Sequence, residues 1–243
     1  MKPHLTVYSS DRRSAEAIAA DLLGRMRVWQ FSLLGFPVEV RPSFWLLTGV
    51  YVLLAVQRDE PVWTAAVFGG VVFVSILVHE LGHGVMARRL RVPVGAITLY
   101  ALGGYVTHAA TTPGRQLLVS LAGPGAGLVL GFAGLALHFL VPDHRVLQVV
   151  LNSSHLVNIG WSLFNLLPLY PLDGGRALSA ILTVLVGPGP GWLIAGGVGT
   201  ALGVALVGVG AWWGDPFLMF LGGSSTWQNA SVVAAAWRTV MAR

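Results

Sequence analysis

One feature restricts this chain more than any other. Val62 to Ala87 is an apolar run that could cross a membrane, and near its end it carries His79, Glu80 and His83, within SILVHELGHGVMARRL at residues 75–90. Ionisable groups in hydrocarbon are costly unless they are paired, bound to a metal or turned toward a watered cavity, so a cluster of them points to a site. Residues four apart share a helix face, which lets both imidazoles address one ion. Zinc with an open coordination position acidifies water to a pKa of about 7, and a carboxylate placed like Glu80 can take the released proton as a carbonyl is attacked. The motif is short and recurs by chance, and the plainer reading of these residues is a polar contact between helices.

Composition sets the solvent. Of the 243 residues, 55% are hydrophobic and only 10% charged, with a mean hydropathy of +0.71, which reads as one polytopic membrane unit with no room for a large soluble domain. The net charge of +5 would suggest nucleic acid in a soluble protein. Here the arginines collect beside apolar spans, so topology and lipid headgroups explain them, and no nucleic-acid partner is expected. Cysteine is absent, so any zinc must use His, Asp, Glu or water. Residues 1–26 lack the apolar core of a signal peptide, and the first span is expected to act as its own insertion signal.

In chain order, Arg12 to Met26 suggests an amphipathic helix on the cytoplasmic membrane surface, and Phe31 to Val40 a small strand or hairpin. Pro42 to Val56 is a short first span. Val62 to Ala87 is the second, and Arg88, Arg89 and Arg91 mark its cytoplasmic end. Val92 to Arg115 favours a β-hairpin turning at Gly103-Gly104 and dipping beside the metal. Its edge cannot face lipid, so it must pack on protein, line a cavity or take an extended substrate by strand addition.

Gln116 to Val141 is a glycine-rich third span, and Val146 to Leu169 a polar fourth, with Asn158 and Asn165 on one face and His155 suited to a structural hydrogen bond. Pro168 and Pro171 break that helix just before Asp173. Ala177 to Val186 is a short apolar stretch and Trp192 to Trp213 a glycine-rich span. Phe217 to Leu221 is too short to cross alone and leads into a cytoplasmic tail. The expected fold is an all-α polytopic membrane protein of about six transmembrane helices with a small membrane-associated β-hairpin or sheet. It divides into a cytoplasmic N-terminal segment (1–41), a core (42–176) and C-terminal helices with a tail (177–243).

Two histidines leave a catalytic zinc one protein ligand short, and a carboxylate commonly supplies it. Asp11, Glu16 and Asp21 belong to the N-terminal segment, Glu39 precedes the first span, and Asp59, Glu60, Asp143 and Asp215 fall in loops on the outer side. Asp173 is left, with a plain cytoplasmic turn at Asp173-Gly174-Gly175 as the lesser alternative. Taken together, HELGH, GGYV, SLAGPGAG and NLLPLYPLDGGR resemble the site-2 protease family, the intramembrane zinc metalloproteases of peptidase family M50, over roughly Gly35 to Arg176.

The resemblance implies one Zn2+ per chain on His79, His83 and Asp173, Glu80 as catalytic base, and Asn165 holding substrate or the developing oxyanion. Gly103 and Gly104 match the family's membrane-dipping strand. It further implies a zinc metalloendopeptidase that cuts transmembrane protein substrates in or near their spans. The chain would then be a multi-pass protein of the cell membrane with both termini cytoplasmic, in contact with membrane lipid and compatible with a homo-oligomer. A membrane metal-ion transporter and a catalytically inactive protease homologue remain the alternatives.

Overall fold

The computed structural model describes residues 28–57, 61–101, 103–141 and 144–241. The amphipathic helix expected over Arg12 to Met26, and Asp59, Glu60 and Asp143, lie outside them. The chain runs β1 (Trp29–Leu33), β2 (Phe36–Val40), α1 (Pro42–Gln57), α2 (Val62–Arg89), β3 (Val94–Tyr100), β4 (Gly103–His108), α3 (Pro113–Leu140), α4 (Arg145–Asn165), α5 (Asp173–Val186), α6 (Pro188–Trp213) and α7 (Pro216–Met241).

The strands form one sheet in the order β1-β2-β3-β4. Leu34 and Gly35 turn the first hairpin at φ of 50° and 78°, the double positive φ that matches strand twist in a two-residue loop. Sequence patterning suggests two separate β pieces; the structure fuses them through a parallel pairing of Val38 with Ile97 and Val40 with Leu99. Such a pairing leaves no local signal, because it joins segments separated by α1 and α2. Phe36, Val38 and Val40 alternate inward with Ile97 and Leu99, and together they cover Phe44 of α1 and Ile76 and Leu77 of α2. Arg88 locks the arrangement from the end of α2: Nη1 donates to the Leu34 carbonyl at 2.7 Å and the guanidinium lies 4.3 Å from the centre of the Phe36 ring.

Among the described residues, three helices, α2, α3 and α6, are long and apolar enough to cross a membrane. α1 and α5 have 16 and 14 residues, short for the roughly 20 a span needs, and α4 is diluted by polar side chains. The helical core is seated by glycines on α3, as the small-residue pattern suggests. A Cβ on Gly127 would strike Ser162 Oγ of α4, and one on Gly131 would come within 2.7 Å of Ile159 Cγ1. Asn158 then spans to α2, donating to Ser75 Oγ at 2.8 Å.

One expectation is corrected. Phe217 to Leu221 is not a fragment before a tail: it opens a continuous 26-residue helix, α7, which folds back along α6 after a left-handed Gly214. The seam is built from small residues, with a Cβ on Gly222 meeting the Gly203 carbonyl at 2.6 Å and the Val207 nitrogen at 2.7 Å. Ser225, Asn229 and Ala236 are buried along the same helix. Hydropathy misses this, since Gly-Ser-Ser-Thr-Trp-Gln-Asn looks soluble while its small size permits close packing.

The glycine seats make a testable distinction. Gly131→Ala is expected to destabilise the detergent-solubilised protein by about 1–3 kcal/mol through overpacking. Gly125→Ala, on the same helix with nothing within 4 Å of its Cβ, should be neutral or stabilising by up to about 1 kcal/mol. Thermal unfolding of both variants checks this.

Candidate metal centre

α2 presents His79 and His83 on one face, one turn apart, as the helical period requires. α5 begins at Asp173, so its carboxylate comes from the opposite side, where the α4–α5 connection ends. The three groups meet. His79 Nε2 lies 3.1 Å from Asp173 Oδ2, His83 Nε2 lies 3.2 Å from the same oxygen, and the two Nε2 atoms are 3.2 Å apart. All three residues are buried, at 3%, 7% and 6% relative exposure.

This triangle fits a small divalent cation. Zinc bonds of about 2.0–2.1 Å in tetrahedral array put neighbouring ligand atoms roughly 3.3–3.4 Å apart. The protonation pattern agrees: His83 Nδ1 faces the Val119 carbonyl at 2.7 Å, and a carbonyl can only accept, so the hydrogen sits on Nδ1. A neutral ring in that tautomer turns the lone pair of Nε2 into the triangle, and the carbonyl is the kind of outer partner that a metal-ligating histidine would use. His79 Nδ1 is buried with no hydrogen-bond partner among the described residues, so its ring is oriented by packing and its Nε2 neighbours.

Glu80 is buried beside the triangle at 5% exposure, within electrostatic reach of His83, His79, Asp173 and Arg176. Gly103 and Gly104 are not the turn expected of them: they are strand residues, paired with Tyr100 and Leu99 of β3. They open β4, and a Cβ on Gly104 would lie 2.6 Å from Glu80 Cγ, so the missing side chain is the room that Glu80 occupies. Gly103 has φ of 130° and packs against Trp161 of α4, whose Cζ2 would be 3.1 Å from an added Cβ. Asn165 sits at the end of α4 and donates one amide hydrogen to the Trp161 carbonyl at 2.9 Å, a bond within its own helix. His155 stays away from the triangle: Nδ1 pairs with the Leu151 carbonyl at 3.2 Å and the ring lies 5.9 Å from that of His138.

Sequence reading missed Gly123. It looks like a packing glycine of α3, yet a Cβ there would collide with His83 Nε2, so its absence is what admits the imidazole. Nothing local separates Gly123 from its neighbours Gly125 and Gly127. The signal lies in the pairing of α2 with α3, where a Cβ on Gly82 would likewise strike the Ala122 carbonyl. Gly174 and Gly175 fold the α4–α5 connection onto the first turn of α5: Cβ atoms there would meet the Leu166 and Leu169 backbones. From that turn a cavity of about 500 Å³ extends between β4 and α5, lined by Val106, His108, Tyr170, Arg176, Ser179 and Thr183 among others.

Comparison with known proteins agrees with this geometry. Residues 67–153 match the model of peptidase family M50, which takes in both histidines and Glu80. A Synechocystis sp. protein provisionally named a zinc metalloprotease is 32% identical, over 74% of this chain and 51% of its own length. A zinc metalloprotease of Methanocaldococcus jannaschii is 29% identical, over 73% of this chain and 52% of its own length. The chain thus spans about half the length of these curated relatives. Among solved structures, the site-2 protease from Methanocaldococcus jannaschii superposes with a TM-score of 0.62 at 24% identity, covering 85% of this chain and 95% of that one, which establishes a shared fold. The family match and the curated relatives agree in placing residues 67–153 in peptidase family M50, and the fold around them is that of a site-2 protease.

Proposed function

We propose that this chain is an intramembrane zinc metalloendopeptidase that hydrolyses peptide bonds in or near the transmembrane segments of other membrane proteins. The carrying observation is the convergence of His79, His83 and Asp173 from two distant motifs, with Glu80 alongside. One zinc per chain would be held by His79 Nε2, His83 Nε2 and an Asp173 carboxylate oxygen. Bound there, it supplies Lewis acidity toward water and a substrate carbonyl.

The chain's own residues carry the rest. Glu80, adjacent to the first histidine, takes the proton from the attacking water on its carboxylate and returns it to the leaving amine. Asn165 spends one Nδ2 hydrogen on Trp161 and keeps the other for a substrate carbonyl or the oxyanion it becomes. Burial of the site holds bulk water out and strengthens these contacts. The substrate must be extended to react, because a hydrogen-bonded helix shields its carbonyls. β4 pairs with β3 on one side and forms the end of the sheet on the other, so its outer edge can take that extended segment as an added strand, beside the cavity against α5.

In this reading the protein is a multi-pass protein of the cell membrane, with Arg88, Arg89 and Arg91 at the cytoplasmic surface. His83 then lies six residues, about 9 Å of helix rise, inside Arg89. The number of spans, about six, and the cytoplasmic placement of both termini belong to the same proposal.

The first test is metal content of the purified chain. Wild type should carry zinc near one per chain and Asp173→Ala should lose most of it; zinc indifferent to Asp173 would sink the proposal. Glu80→Gln should keep its zinc yet cleave a co-reconstituted single-span substrate at least about 100-fold more slowly. Full activity in that variant would remove the assigned base. Gly104→Ala should likewise retain zinc and lose about tenfold or more in turnover, since its Cβ displaces Glu80 and not a ligand. Quantifying zinc and cleavage on the same preparation separates the three effects.

A further inference from the structure

The segment that delivers Asp173 has little regular structure to hold it. Between Asn165 and Asp173 its internal backbone bonds are short turns, such as Leu169 N–H to the Leu167 carbonyl at 2.8 Å and Leu172 N–H to the Leu169 carbonyl at 3.0 Å. A ligand carried on such a segment needs an outside restraint if its oxygen is to stay within about half an ångström of a working position.

That restraint comes from α7. Asn229 is fully buried, and its amide pairs with both backbone groups of Tyr170: Nδ2 donates to the Tyr170 carbonyl at 2.9 Å, and Oδ1 accepts the Tyr170 N–H at 3.2 Å. Two bonds of this kind are what a neighbouring β-strand residue would supply, and they fix the peptide planes on both sides of Tyr170. The second Nδ2 hydrogen goes to the Ser225 carbonyl at 2.8 Å, which sets the amide's orientation. α6 is shaped to receive it, since a Cβ on Gly199 would collide with Asn229 Oδ1 and one on Gly196 would come within 3.1 Å of the Asn229 carbonyl. Tyr170 is gripped from its other side as well, by a 2.7 Å hydroxyl bond with Ser179 of α5 and by stacking on Trp192 of α6 at 6.2 Å.

We propose that Asn229 is a positioning residue for the metal centre: by clamping the Tyr170 backbone, three residues ahead of Asp173, it holds the Asp173 carboxylate against His79 and His83. This rests on the reading of those three residues as metal ligands. It gives the α6–α7 hairpin a part in the site that its sequence does not advertise. Asn229 touches neither ligand nor substrate, and it acts through the α4–α5 connection. A merely structural clamp would tie the hairpin to the core and leave metal affinity alone.

The test uses the full chain in detergent, with zinc affinity measured by chelator competition and the ligand field by the visible spectrum of the cobalt-substituted protein. Asn229→Ala is expected to weaken zinc about tenfold or more and to change the cobalt spectrum, as loss of an outer-shell support does. Gly210→Ala is the control: its Cβ would meet the Met219 nitrogen at 2.8 Å near the tip of the same hairpin, far from Tyr170, so it loosens the hairpin and should leave affinity and spectrum at wild-type values. Should Asn229→Ala not fold, Gly199→Ala, which crowds the amide without removing it, carries the same expectation. Wild-type affinity and spectrum in Asn229→Ala or Gly199→Ala would overturn the proposal, as would an equal loss in Gly210→Ala at matched melting temperature. A wild-type chain that binds no zinc would overturn the metal reading itself, and this inference with it.

Discussion

Two imidazole nitrogens and a carboxylate oxygen, each about 3 Å from the others and almost entirely out of solvent, are the interaction on which the rest of this structure depends. With both imidazoles neutral and carrying their hydrogens on Nδ1, the lone pairs facing each other at that spacing repel, and desolvation adds to the cost. A cation among them reverses the sign. The protein's task is then to bring three groups from two remote segments to one point and keep them there against a surrounding of apolar helices.

It does this largely by subtraction. Gly123 clears space for His83, Gly104 for Glu80, Gly82 for the α2–α3 crossing, and Gly174 with Gly175 for the return of the α4–α5 connection over α5. In each case the volume of a methyl group decides whether a neighbouring side chain or backbone can share the space. Close packing converts these choices into rigidity, because an interior at crystal density leaves no slack for a displaced imidazole. The sheet adds a second layer of support: its buried face, Phe36, Val38, Val40, Ile97 and Leu99, rests on α2 next to Ile76 and Leu77, a turn or less before His79.

What could be read from the chain in advance follows from the range of each signal. His79, Glu80 and His83 are legible because helical periodicity places them without reference to any other segment. Asp173 was reachable by elimination, since this chain has so few acids outside its loops and termini. The hairpins β1–β2 and β3–β4 show in local patterning, whereas the parallel β2–β3 pairing that unites them does not. Gly104 and Gly123 are written in the same letter as turn and packing glycines, and only the neighbours brought by tertiary structure tell them apart. α7 was hidden for a related reason: the serines, glycines and asparagine that look like a tail are the residues small enough, or polar enough, to seat against α6 and Tyr170.

These features bear on why the carboxylate of the proposed metal site comes from a broken helix and not from a continuous span. A third ligand on a regular helix would have its height and rotation fixed by that helix's own packing, and one site would have to satisfy both. Ending α4 at Asn165 and restarting at Asp173 uncouples the two demands: α4 keeps Asn158 on Ser75 and Ser162 against Gly127, while α5 aims its first carboxylate at α2. The freed backbone must still be satisfied where water is scarce. Short turns do part of that, and the amide of Asn229 does the part that turns cannot, by answering both backbone groups of a single residue from a helix late in the chain. The break and the clamp are thus two halves of one solution, and the small residues that let α7 approach α6 are what bring the second half within reach.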